Sequence, residues 1–224
     1  MDSSLQNFQA VFFDMDGTLV DTEPYWLESE TELMARYGYA WTSDDQRHCL
    51  GGPLPRVGRY MHELAHAEDP EFFVEELVSL VSSKFSHSLN FMPGARELLN
   101  EIKSLGVPMG LVSASPRVLV DATLSNIGSE VFSVSISSND VRNSKPDPES
   151  YLTAASQLNV DISKSLILED SLTGISSARA SGAWVLAIPH IVEVEAGPRT
   201  RVVDSLVDLS LAKISSLFTE RMDA

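Results

Sequence analysis

The 224-residue chain has a single cysteine, Cys49. That excludes an internal disulfide and fits a reducing, cytoplasmic setting. An idle, buried thiol is the plain reading of Cys49. No apolar run approaches the ~18 residues that a membrane span needs. The N-terminus lacks a basic start followed by a long apolar stretch, so no signal peptide is expected. Positive charge is scarce too: 16 basic side chains face 32 acidic ones, a formal net charge of -16. Without a Lys/Arg cluster to offset it, such a surface repels nucleic acid and anionic membranes. An anionic ligand would therefore need a metal or individually placed cations. What is present is ordinary for a globular chain: 43% hydrophobic residues and a mean hydropathy near zero. Repeats and low-complexity stretches are lacking.

Strand-like and helix-like segments alternate through most of the chain. Ala10–Phe13 is a short apolar run ending in turn residues, as a buried strand does. After Met92-Pro93-Gly94 comes a helix over 95–105, closed by Gly106, then a strand at Met109–Val112. A helix opening at Ser115-Pro116, a strand at Val131–Ser137 and a helix from Pro148 to Leu158 follow. Ser165–Leu168, a helix closing at Gly182 and a last clear strand, Ala183–Ile188, complete the series, with a helical segment from about Leu206. This spacing predicts an α/β fold: a Rossmann-like parallel sheet core flanked by helices.

Residues 21–92 interrupt the pattern without any convincing strand. Pro24 opens a helix carrying Trp26, Leu33 and Tyr37 on one face, with Gly38 as its stop. Asp69-Pro70 opens another, turning Phe73, Leu77, Leu80, Val81 and Phe85 inward. We expect an inserted all-helical domain over 21–92, and a core assembled from 1–20 and 93–224. The insertion holds 13 acidic and 5 basic residues, half of the net charge. Arg47, Arg56 and Arg59 surround its Gly51-Gly52-Pro53 turn. His62 and His66, spaced for one helix face, have no carboxylate at the right step and are taken as surface residues.

Four segments carry chemistry. In Asp14-Met15-Asp16-Gly17-Thr18, two carboxylates at i and i+2 leave a strand pointing the same way. At 4 Å and an effective dielectric of 20 they repel by about 4 kcal/mol, which a hard, oxygen-seeking cation such as Mg²⁺ offsets. The alternative is an Asp-rich helix-capping turn. In Val112-Ser113-Ala114-Ser115-Pro116, a hydroxyl precedes the free N–H groups of a helix start, an anion-binding arrangement, unless Ser115 simply caps that helix. Lys145 precedes Pro146 and is expected to be extended, projecting into a cleft or lying on a surface loop. Glu169-Asp170 closes an apolar strand, as a second acid cluster or as a charged turn. Each segment follows a predicted parallel strand, at the sheet edge where open α/β folds bind ligands.

With these residues in this order, the sequence resembles the haloacid dehalogenase superfamily, in its β-phosphoglucomutase-like phosphatase branch with a helical cap. Asp14-x-Asp16-Gly17-Thr18, Ser113, Lys145-Pro146 and Glu169-Asp170 match that family's four motifs. The resemblance implies a phosphatase in which Asp14 is the nucleophile and forms an aspartyl-phosphate, while Asp16 carries the proton. It implies a Mg²⁺ held by Asp14, the backbone carbonyl of Asp16, and Asp170, with Glu169 orienting metal-bound water. Gly17, Thr18, Ser113, Ala114 and Lys145 would receive the phosphoryl group, with Asp14, Asp16, Ser113 and Lys145 as the catalytic set. Asp16 also argues against dehalogenation, whose halide leaving group needs no proton.

The implied cap, 21–92, would select the substrate, with Glu23 and Arg56 as candidate contacts. Where the mutases of the branch lead one to expect a histidine, the chain has Glu23-Pro24-Tyr25-Trp26, and Gly51-Gly52-Pro53 replaces an expected Lys-Gly. These departures favour a monophosphatase acting on a small phosphorylated metabolite, such as a sugar phosphate; a monomer is expected, though no motif bears on it. The alternatives are a β-phosphoglucomutase-type mutase and, in another class, a non-catalytic phosphate- or partner-binding module.

Overall fold

β1 (Val11–Phe13) is a fully buried triplet at the centre of a six-stranded sheet. The computed structural model describes residues 8–50, 53–189 and 193–219. Gly51, Gly52 and His190, on which parts of the sequence reading fall, lie outside the described residues. The strands run in the order β3-β2-β1-β4-β5-β6 and every neighbouring pair is parallel. β2 is Met109–Val112, β3 Val134–Ile136, β4 Leu166–Glu169, β5 Trp184–Ala187 and β6 Thr200–Val202. In register, Phe13 lies between Leu111 and Leu168. The two middle neighbours of β1, β2 and β4, are buried at every position. Such continuous apolar runs are what a sheet covered on both faces demands.

The chain splits into two compact units, Met1–Asp21 with Asn90–Ala224, and Thr22–Leu89. In the first unit, the paths leaving and re-entering the sheet pair with each other. Asp21 N donates to Asn90 O at 2.8 Å, Met92 N donates to Leu19 O at 3.0 Å, and Val20 bridges Phe91.

The second unit is helical: α1 (Glu23–Ala35), α2 (Ser43–Cys49), α3 (Leu54–Ala65) and α4 (Pro70–His87). Its core gathers Leu33, Met34, Val57, Met61, Phe73, Leu77, Val81 and Phe85, all buried. α3 and α4 approach closely at Gly58, where a Cβ would stand 2.4 Å from Pro70 O. The sequence reading does not single out α2 and α3, which lie before and after residues 51–52. The His62/His66 spacing fails because His66 is a left-handed C-cap at φ 51°, so it does not continue the helical face of His62.

The remaining helices belong to the first unit: α5 (Ala95–Ser104), α6 (Arg117–Ile127), α7 (Glu149–Leu158), α8 (Leu172–Ser181) and α9 (Leu211–Thr219). The expected third strand begins later than Val131, because Ser129–Val131 forms a 3₁₀ turn. β6 escapes a sequence reading: it is three residues long and has Arg201 at its middle. Among the described residues no helix is long and apolar enough to cross a membrane.

Candidate active site

The strand order reverses at β1: the chain builds β2 and β3 on one side, then crosses to β4 on the other. Such a switch point leaves a crevice at the carboxyl ends of the strands. Asp14 follows β1 directly and its N–H donates to Leu168 O at 3.0 Å, continuing the ladder to β4. Glu169 ends β4 and Asp170 follows it. Ser113 follows β2, and its N–H donates to Ile136 O at 2.9 Å. Lys145 arrives from the segment between β3 and α7.

Lys145 and Asp14 are at most 9% exposed and Glu169 is fully buried. The Lys145 Nζ donates three hydrogen bonds: to Asp14 Oδ1 at 2.6 Å, Glu169 Oε1 at 2.7 Å and Val112 O at 2.8 Å. An ammonium has three donors, so this one is saturated by the protein and acts on its surroundings through charge. Burial alone would lower its pKa, but Asp14 and Glu169 reverse that and hold the ammonium above the ordinary lysine range. Asp14 is pushed well above the carboxylate range by burial, then by repulsion from Glu169, with Lys145 opposing. Asp170 is raised to about 7 by burial and by Glu169, against a hydrogen bond from Thr18. Thr18 Oγ1 donates to Asp170 Oδ1 at 3.2 Å.

Asp14, Glu169 and Asp170 form a group whose ligand atoms all lie within 4.8 Å of one another. Hard carboxylate oxygens gathered this closely, with Asp14 and Asp170 raised first by burial and then by repulsion from Glu169, suit a divalent cation, whose charge would oppose that rise. Room for the group depends on Gly17. Its φ is +78°, and a Cβ there would stand 2.4 Å from Asp170 Oδ2. The residues present therefore fit a hard divalent metal.

The side chain of Asp16 is engaged elsewhere. Its Oδ2 accepts from Ser115 Oγ at 2.8 Å and Ser113 Oγ at 3.2 Å, while its buried Oδ1 has no hydrogen-bond partner. The i, i+2 spacing thus brings both acids to one sheet edge without placing both in the three-acid group. Ser115 is no helix cap, since the N-cap of α6 is Pro116. Its backbone N–H donates to Ser113 Oγ at 2.9 Å, linking the two serines. Ala114, between them, is exposed.

Glu23 and Arg56 belong to the helical unit. Glu23 is exposed in the first turn of α1, and Arg56, on α3, donates from Nη2 to His48 O at 2.8 Å. Tyr151 and Gly174 went unnoticed in the sequence. Tyr151 is fully buried, and its hydroxyl donates to Glu169 Oε1 at 2.7 Å. A Cβ on Gly174 would stand 1.9 Å from that same oxygen.

A family model described as haloacid dehalogenase-like hydrolase matches residues 11–188. The "Phosphorylated carbohydrates phosphatase" of Thermotoga maritima is 34% identical over 179 residues, which is 78% of this chain and 82% of that protein. "Hexitol phosphatase B" of Escherichia coli K12 is 29% identical over 222 residues, 96% of each chain. A solved Thermotoga maritima structure assigned as a β-phosphoglucomutase is 28% identical. It superposes with a TM-score of 0.74 over 93% of this chain and 97% of its own.

Proposed function

This chain belongs to the haloacid dehalogenase-like hydrolases, on their β-phosphoglucomutase-like branch, and is a phosphoric monoester hydrolase; from that premise we propose that it is a Mg²⁺-dependent, cytoplasmic monomer that hydrolyses a small sugar phosphate through Asp14. The observation that carries this reading is the saturated Lys145 ammonium between Asp14 and Glu169. It keeps one oxygen of a buried carboxylate fixed and favours the ionised form, which is the nucleophilic one.

Asp14 attacks phosphorus and displaces the alcohol, giving an aspartyl-phosphate. Asp16 supplies a proton to the departing oxygen and then takes one from the water that attacks the phosphoryl group. Positioned acid–base help of this kind is worth about 10²–10⁴-fold. The free Oδ1 of Asp16 supports that role, as do the two serine hydroxyls that fix Oδ2. The Ser113 and Thr18 hydroxyls, which donate to Asp16 and Asp170, would turn to the phosphoryl oxygens on substrate binding, where negative charge spreads during transfer. Asp14 and Asp170 would hold the Mg²⁺, together with the backbone carbonyl of Asp16. When bound, the metal supplies positive charge against the phosphoryl oxygens. Glu169, with one oxygen committed to Lys145 and Tyr151, serves to anchor the lysine.

The Thr22–Leu89 unit is proposed as the cap that selects the substrate, with Glu23 and Arg56 as contacts. Hydrolysis is preferred to mutase chemistry because both curated relatives described above carry phosphatase names for carbohydrate or hexitol substrates.

The test is phosphate release from p-nitrophenyl phosphate and from a panel of sugar and polyol monophosphates, with EDTA and with Mg²⁺ restored. Release that EDTA stops and Mg²⁺ restores, without a bisphosphate activator, is expected. Full activity in EDTA, or interconversion of sugar phosphates without phosphate release, would overturn the proposal.

A further inference from the structure

We propose that Tyr151 is a positioning residue of this site, its hydroxyl aiming the Glu169 carboxylate and its ring supporting Lys145, so that the ammonium is held against Asp14. The inference rests on Asp14 being the nucleophile, which the Asp14→Asn variant tests separately.

Tyr151 lies on α7, fully buried among Phe12, Val112, Ile136 and Ile167. Its ring meets Phe12 edge-on, with centroids 6.5 Å apart at 66°. In so apolar a setting a phenylalanine would fill the same volume without a polar atom to satisfy. The hydroxyl is accounted for by its one acceptor, Glu169 Oε1, at 2.7 Å. That oxygen is the same one that accepts from Lys145. The Lys145 Nζ also stands 4.8 Å from the Tyr151 ring centroid, within cation–π range. Tyr151 thus meets both members of the Glu169–Lys145 pair, one by its edge hydroxyl and one by its face.

The neighbouring helix packs against Glu169 but does not bond it at its closest point. Gly174, where a Cβ would strike both carboxylate oxygens, brings the α8 backbone against Glu169 while its own N–H goes to Ser171 Oγ at 3.0 Å. The Ser171 hydroxyl, 3.4 Å from Glu169 Oε2, is a longer contact than the Tyr151 one. The shortest bond aiming this carboxylate, apart from the lysine itself, is therefore that from Tyr151. Removing it leaves Oε1 with a single donor and lets the carboxylate turn. Lys145 then keeps its charge but loses one of the three directions that fix its nitrogen. The nucleophile is touched only through Lys145, so turnover should suffer while substrate affinity does not.

The experiment compares Tyr151→Phe and Tyr151→Leu with the parent enzyme, measuring kcat, KM and the melting temperature on p-nitrophenyl phosphate with Mg²⁺. Tyr151→Phe is repeated in a Glu169→Gln background. Tyr151→Phe should lower kcat about tenfold, as loss of a hydrogen bond to a charged group does, with KM and melting temperature nearly unchanged. Tyr151→Leu, which also loses the ring, should fall further. In the Glu169→Gln background Tyr151→Phe should change kcat by less than about twofold, because the partner through which it acts has been altered. An unchanged kcat in Tyr151→Phe would overturn the proposal. So would an equal loss in both backgrounds, or a loss explained by melting. If the Glu169→Gln background is too slow to assay, the split between kcat and KM in Tyr151→Phe decides. A rise in KM with kcat preserved refutes the positioning role, whereas inactivity of the parent enzyme refutes the functional reading beneath it.

Discussion

Asp14 and Glu169 at the sheet edge, and Glu30 in the helical unit, are all carboxyls removed from water, yet their surroundings differ in kind. The sheet-edge pair shares a buried ammonium that bonds to both. Glu30, on α1 and only 4% exposed, has no such cation: its Oε2 lacks any hydrogen-bond partner, and burial followed by repulsion from Glu23 raises it from 4.5 to about 8. The Trp41 indole pulls the other way without prevailing. Asp45, on α2, shows a third solution. Burial works to raise it, but hydrogen bonds from Thr42, Tyr60 and Tyr39 outweigh burial and hold it below the usual range. A fold can thus pair buried acids with a cation, hold one ionised with neutral donors, or leave one protonated. The first arrangement is found where the strands end, and there Lys145 opposes the rise that burial imposes on Asp14.

The sharpest way to break the contrast is to remove the reactive group. Asp14→Asn keeps the shape and abolishes the nucleophile, so kcat should fall by on the order of 10⁴-fold or more, with Mg²⁺ present, in the same phosphate-release assay. Next comes Lys145→Met, which leaves two buried carboxylates uncompensated. Breaking a buried pair costs about 3–5 kcal/mol, and denaturant unfolding should show that loss together with loss of turnover. Unchanged stability would mean that the ammonium matters less than its three bonds suggest.

Glu30 should behave in the opposite sense. Below pH 4.5 it is protonated in both folded and unfolded chains, so it has no effect. Between 4.5 and about 8 the unfolded chain gives up a proton that the fold retains, and stability falls as pH rises. Glu30→Gln should therefore match the parent at pH 4 and exceed it at pH 8–9, by on the order of a few kcal/mol. A pH-independent difference would show that Glu30 is not neutral in the fold. Asp45→Ala should give the smallest change, about 1–3 kcal/mol of lost stability, since it strands the donors of Thr42 and Tyr60.

The acids were legible in the sequence because each stands where an apolar strand stops, and the lysine because it precedes Pro146 in the loop after one; the resemblance then supplied their roles. Asp16 was legible as an acid but not in its contacts. Its partners, Ser113 and Ser115, are two residues apart at the end of a different strand, and only the parallel pairing of β2 with β1 brings them together. Tyr151 was hidden because an aromatic on the inner face of a helix has the same spacing whether it fills a core or bonds a carboxylate. Gly174 was hidden because a glycine inside a helix shows no sign of what its missing Cβ would strike. In the helical unit, the seven residues of α2 make about two turns, too few to show a period. β6 failed for the same reason, with three residues and a central arginine.

The claim on which the rest depends is that the phosphoryl group passes through Asp14. Acid quenching during turnover of a good substrate, followed by peptide mapping by mass spectrometry, tests it most directly. A phosphoryl group on the peptide carrying Asp14, absent in Asp14→Asn and discharged on further incubation before quenching, is the predicted result. No phosphoryl group on that peptide, with undiminished turnover in Asp14→Asn, would contradict it.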